Sequence, residues 1–227
     1  MSDMWAAQMQ RWMRCLAVVF GEREAELNAL DALIGDGDHG STMARGFAQA
    51  AQAASEAGGD AQSVLQAAGR ALLGMGGASG PLFGTMLLAA GDAMAGSAPL
   101  TGAHIAKVLA AATDRVRARG RVSRGHKTMF DALAAAAEAA HAAGDAGAGA
   151  TEVIMTAADA ARAAVEQTRH LEARQGRARF LGERTIGHPD PGAMSVWLML
   201  DVLATLVRNS HTTEPVQSVD NQPFRNL

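Results

Sequence analysis

Ala61-Gln-Ser-Val-Leu-Gln-Ala-Ala-Gly-Arg-Ala-Leu-Leu-Gly74 carries apolar residues at Val64, Leu65, Ala68, Ala71 and Leu72. That spacing lines one face of an α-helix and does not suit the two-residue period of a strand. Ile105, Val108, Leu109, Ala112 and Val116 repeat the pattern. Along the rest of the chain, the same period predicts helices over about residues 4–32, 41–57, 61–74, 81–95, 102–119, 127–143, 150–173 and 192–208. The chain is rich in alanine, has no tyrosine and offers few alternating β-branched stretches, so a parallel sheet has little raw material. The expectation is an all-α domain, an eight-helix antiparallel bundle or barrel in which small side chains let helix axes approach closely.

A chain of 227 residues is long enough for one well-buried domain, and nothing in its composition demands a second. With 48% hydrophobic and 19% charged residues and a net charge of −3, it presents no basic face for nucleic acid. A single cysteine, Cys15, cannot form an internal disulfide and reads as a small core residue. The apolar run Cys15 to Phe20 is too short for a secretory segment or a membrane span, so the expected location is cytoplasmic. Residues 1–208 read as the helical domain and 209–227 as a polar, aperiodic, loosely attached tail.

The chemistry concentrates in the breaks between helices. Asp31-Ala-Leu-Ile-Gly-Asp36-Gly-Asp38-His39-Gly40-Ser-Thr-Met brings three carboxylates within eight residues, between one long helix and the next. Glycines around Asp36 and Asp38 let the backbone fold tightly enough to aim these groups at one point, where they would repel one another without a cation. Oxygen ligands with no cysteine favour magnesium or calcium. An EF-hand would need a bidentate glutamate at loop position twelve, which is Phe47 counting from Asp36 and Thr42 counting from Asp31. The loop runs into a helix start near Ser41 or Thr42, whose free N–H groups suit an anion beside the cation. Turn and cap roles for Asp36, Asp38 and Ser41 fit the loop by itself equally well.

Gly74-Met-Gly-Gly-Ala-Ser79-Gly-Pro81 joins two helices, with Pro81 suited to a first helical position and Ser79 or Gly80 to the cap. Its backbone N–H groups could receive phosphate, and a close helix corner explains the glycines as well. Gly120-Arg-Val-Ser-Arg-Gly125-His-Lys127-Thr128 is not a Walker A loop, because His126 separates glycine from lysine and helix precedes it. Lys127 remains a candidate phosphate neighbour. The third break, Arg177 to Gly192, is unusually long and varied. In it Asp190 can cap a helix that opens at Pro191, and Arg177, Arg179 and Arg184 can offset phosphate charge or face a partner.

Four blocks together are similar to the L-subunit family of dihydroxyacetone kinases, which corresponds to the C-terminal nucleotide domain of one-chain relatives. They are Ile34-Gly-Asp-Gly-Asp-His-Gly40, Gly76-Gly-Ala-Ser-Gly-Pro-Leu-Phe-Gly84, Lys127-Thr-Met-Phe-Asp-Ala-Leu133 and Leu181-Gly-Glu-Arg-Thr-Ile-Gly-His-Pro-Asp-Pro-Gly192. The resemblance implies an eight-helix barrel with ADP or ATP at one end. Asp31, Asp36 and Asp38 would hold two magnesium ions on the phosphates, as metal ligands and as the catalytic residues. His39, Ser41, Thr42, Ala78, Ser79, Gly120, Met129, Arg177, Asp190, Pro191 and Gly192 would line the nucleotide pocket. It further implies a separate K-type subunit that binds dihydroxyacetone and, in phosphoenolpyruvate-dependent systems, a phosphohistidine phosphocarrier that recharges ADP in place. It allows a homodimer. Thr42 stands where phosphoenolpyruvate-dependent members usually have asparagine, and Ser41-Thr42 is similar to the directly ATP-dependent enzymes, so the phosphate donor stays open. His126 stands where the family usually has aspartate. The function expected is γ-phosphoryl transfer to a ketose by positioning and electrostatics, without a covalent intermediate on this chain. The alternative is a nucleotide-loaded regulatory module that docks on a transcription factor or another kinase.

Overall fold

The computed structural model describes residues 2–96 and 100–209. The described residues form α1 (Ser2–Glu22), α2 (Glu24–Ile34), α3 (His39–Glu56), α4 (Ala61–Leu73), α5 (Ser79–Met94), α6 (Gly102–Gly120), α7 (Met129–Asp145), α8 (Ala150–Thr168), a 3-10 helix (Ala178–Thr185) and α9 (Pro191–Asn209), with no strand among them. The all-α expectation holds. The tail expected from 209 onward lies outside the described residues except for Asn209, which ends α9.

Contacts run α1–α3–α4–α5–α6–α7–α8–α9 and close from α9 back to α1, so eight helices form a ring. Short connections force alternate directions around it. The extra element is α2. The single helix expected over 4–32 is two, broken at Arg23, whose guanidinium pairs with Glu26 at 3.1 Å just inside α2. Past the break α2 leaves the ring and packs mainly along α3. Several ends also move. The helix expected to run to 173 stops at Thr168, and the one expected from 127 starts at Met129 behind a capping box of Thr128 and Asp131. Pro81 sits in the first turn of α5, which opens at Ser79 behind Ala78, still where a missing N–H costs no intrahelical bond.

The ring interior is the core. Phe20 stacks on Phe47 with centroids 4.6 Å apart, and Phe47 meets Phe83 edge-on at 6.5 Å. Trp12 crosses to α9, its indole N–H donating to the Met199 carbonyl at 2.9 Å. Cys15 is partly buried against this core. Helix α9 is long and apolar enough to cross a membrane by length and composition, but 72% of that window is buried inside the fold. Its apolarity is that of a central core helix. Tight crossings follow from glycine: Gly69 of α4 and Gly84 of α5 face each other, and a Cβ on Gly84 would stand 2.7 Å from the Gly69 carbonyl oxygen.

Alternating directions have one consequence for function. The N-termini of α3, α5, α7 and α9 all open at the same end of the ring, together with the end of α2 that carries the acidic loop.

Candidate nucleotide and metal site

The acidic loop is a turn between α2 and α3. Gly37, at φ 75°, takes the left-handed conformation that lets the chain reverse between Asp36 and Asp38. One Asp31 carboxylate oxygen, Oδ2, accepts the backbone N–H of Asp38 at 3.0 Å and of His39 at 3.3 Å, so the last turn of α2 holds the first turn of α3. Asp31, Asp36 and Asp38 each offer an oxygen within 4.8 Å of the others. The Arg177 guanidinium pairs with Asp36 and offsets part of this negative charge. Oxygen donors alone, partly exposed and converging on one point, fit a hard divalent cation such as magnesium.

Behind the loop, α2 grips α3. Asn28 receives the Ser41 N–H on its carbonyl at 3.0 Å and donates its amide to the Ser41 hydroxyl at 2.9 Å, while that hydroxyl donates to Glu24 at 2.6 Å. Gly40 permits this approach, since a Cβ there would run into the Glu24 carbonyl.

A cleft of about 1080 Å³ opens beside the acidic loop. Asp31, Asp36, Asp38, His39, Thr42, Ala78, Ser79, Gly120, Met129, Arg177, Asp190, Pro191 and Gly192 all line it. Ser41 does not: its side chain is spent on α2, on the other face of α3. Arg179 lines the cleft and Arg184 does not. Four polar residues absent from the sequence reading, Arg45, Gln49, Arg119 and Gln175, also line it. Arg45 and Gln49 follow Thr42 at helical spacing on the same face of α3, a signal that was available once Thr42 was singled out.

His39 is buried, with Nε2 2.8 Å from the Ser195 hydroxyl and Nδ1 3.3 Å from that of Ser79. Burial lowers its pKa to about 4, against smaller opposing effects of Asp31 and the Pro191 carbonyl. It is therefore a neutral cross-link between helices, with both ring nitrogens engaged. Lys127 is also buried, at φ 57°, and its ammonium donates to the carbonyls of Thr168 at 2.7 Å, Leu171 at 3.1 Å and His188 at 2.6 Å. With three acceptors already bound, it serves the backbone of the 168–188 segment and is not a free cation for phosphate. Burial pushes its pKa down, against the pull of Asp190.

Asp190 caps α9, its Oδ2 accepting the Ala193 N–H at 2.7 Å, and Pro191 opens the helix as the sequence predicts. Burial drives its pKa up to about 7, the Ala193 N–H and Lys127 opposing. Thr168 closes the arrangement by accepting the Asp190 N–H on its hydroxyl at 2.9 Å. Four helix N-termini thus surround one cleft whose rim holds three clustered carboxylates and several arginines. N-termini and arginines attract a polyanion and carboxylates attract cations, so the pair of features suits a metal-bound polyphosphate.

The profile of the DAK2 domain matches residues 33–205. The chain belongs to the DAK2-domain family. Among DAK2 relatives, the ADP-binding subunit DhaL of the PEP-dependent dihydroxyacetone kinase of Escherichia coli is 36% identical over 199 residues, covering 87% of this chain and 95% of that one. The L-erythrulose 1-kinase of Mycolicibacterium smegmatis is 39% identical over 82% of this chain, which spans only 33% of that longer protein. Among solved structures, the dihydroxyacetone kinase of C. freundii superposes with a TM-score of 0.65 at 26% identity, covering 90% of this chain and 34% of that one. The same enzyme in complex with AMP-PNP and Mg2+ matches with a TM-score of 0.63. Asp31 lies just before the segment matched by the DAK2 profile, while Asp36 and Asp38 fall inside it.

Proposed function

We propose that this chain is the nucleotide-binding, phosphoryl-transferring subunit of a dihydroxyacetone-kinase-type enzyme, holding ADP or ATP on two magnesium ions through Asp31, Asp36 and Asp38. The observation that carries the reading is the meeting of three carboxylates with four helix N-termini in one cleft. Relatives named as dihydroxyacetone and erythrulose kinases support the kinase activity and point to a short ketose as acceptor.

Magnesium held there supplies neutralisation of the charge on the β- and γ-phosphoryl oxygens. The chain's own part is placement. Asp31 both faces the cleft and fixes the loop through two N–H groups, so its carboxylate is oriented before ligand arrives. Arg177 can exchange Asp36 for a phosphoryl oxygen when cations occupy the acidic cluster. Ala78, Ser79, Gly120, Met129 and Asp190 to Gly192 form the walls of the nucleotide pocket, and Met129 offers an apolar surface for the base. Neither His39, engaged on both nitrogens, nor Lys127, engaged by three carbonyls, is available as an acid or base. Transfer is then positioning and electrostatics, with the acceptor hydroxyl brought by a K-type partner subunit to the open mouth.

Reconstitution tests this reading and resolves the donor. The purified chain with a K-type subunit, dihydroxyacetone and ATP is expected to form dihydroxyacetone phosphate. If the donor is phosphoenolpyruvate instead, product appears only with a phosphohistidine phosphocarrier system and catalytic ADP. No product from either system with any short ketose, alongside intact Mg-ADP binding, would favour a docking regulator over a kinase.

A further inference from the structure

We infer that Ser195 is a positioning residue of the nucleotide site: through His39 it sets where the Ser79 end of the glycine-rich loop stands against the acidic loop. The inference rests on the nucleotide reading above and extends it to a residue outside the cleft.

Ser195 lies one turn into α9 and is fully buried. Its hydroxyl donates back to the Pro191 carbonyl at 3.1 Å, so its single proton is committed. The oxygen can then only accept at the short contact to His39 Nε2, 2.8 Å away. The Pro191 carbonyl also faces the His39 ring and can likewise only accept. The hydrogen therefore sits on Nε2. In a neutral imidazole the other nitrogen is then bare, and Nδ1 accepts the Ser79 hydroxyl proton.

The result is a chain with one direction, from Ser79 to His39 to Ser195 to the Pro191 carbonyl. It joins the first turns of α5, α3 and α9, three of the four helix starts around the cleft. The Ser79 proton is drawn inward, leaving the backbone N–H and the outer lone pairs of this residue for ligand. Residues 40 and 156 positions apart are so tied that a shift of the His39 ring moves both the glycine-rich loop and the turn that follows Asp38. Removing the Ser195 acceptor frees the ring, and the loop loses its reference to α9.

Calorimetric titration of the full chain with Mg-ADP tests this. Ser195→Ala is expected to weaken binding about tenfold, the effect of losing one buried hydrogen bond, and Ser195→Thr, which keeps the hydroxyl, to recover most of it. Added to His39→Ala, Ser195→Ala is expected to cause no further loss, because the two act as one unit. Unchanged affinity in Ser195→Ala, or losses that simply add, would overturn the inference. Should a variant fail to fold, ¹⁵N NMR of the unaltered chain reads the tautomer directly: a hydrogen on Nε2 supports the chain, and one on Nδ1 overturns it. Failure of the unaltered chain to bind Mg-ADP would overturn the nucleotide reading itself, a result distinct from a loss confined to the variants.

Discussion

At Asp190 one side chain serves both helix and cleft. Its carboxylate caps α9 from a half-buried position at the cleft wall, and loss of solvent there raises its pKa from 3.8 to about 7. The folded chain therefore binds a proton that the unfolded chain has released, over the window from about pH 4 to about pH 7. In that window folding stability falls as pH rises: the contribution is full below the ordinary carboxylate value and gone above about 7. For three units the whole swing is on the order of 4 kcal/mol. Asp190→Asn keeps an oxygen for the Ala193 N–H and cannot titrate. Its stability in urea relative to the unaltered chain is expected to rise between pH 4 and pH 7. A constant difference across that range would show that Asp190 is ionised throughout.

At the scale of elements, what was legible in the sequence and what was not divide along a physical line. Apolar spacing located the ring helices because each buries one face against its neighbours, and that requirement is local. The three carboxylates and the start of α9 were legible for the same reason: Asp31 to Asp38 and Asp190-Pro191 carry their geometry within a few residues. The features that escaped are set by distant side chains. Helix α8 ends at Thr168 where Lys127, 41 residues earlier, takes its carbonyl. Ser41 reads as a site residue from its place near the helix start after the acidic loop, and only the packing of α2 on α3 turns it toward Asn28 and Glu24. The split at Arg23 hides inside a continuous apolar period, since α2 is also amphipathic but packs on a different partner. The crossing of α4 and α5 offers a test at this scale. Gly84→Ala forces a Cβ into the Gly69 carbonyl, and overpacking of this kind costs about 1–3 kcal/mol. A fall in Tm of roughly 2–10 °C is expected for a domain of this size, and an unchanged Tm would mean that the two helices separate freely.

The molecule as a whole is a closed ring of alternating helices whose geometry gathers N-termini at one end and leaves the acidic loop beside them. The apolar interior supplies rigidity, and the site is built from the loops that the ring holds in register. On this account residues 1–208 are the nucleotide-binding unit. A chain ended after Asn209 is expected to keep the Tm and the Mg-ADP affinity of the full chain within error, and a loss of affinity would assign the last residues to the site.

The central claim is that three carboxylates bind nucleotide through magnesium. Titration of ADP into the chain with Mg²⁺ and with EDTA, in the unaltered protein and in Asp38→Asn, measures this most directly. The account predicts one ADP bound per chain, tightly only with Mg²⁺, and a loss of at least tenfold in the variant, the scale of one charge-assisted interaction. Equal affinity with EDTA, or binding untouched by Asp38→Asn, would contradict it.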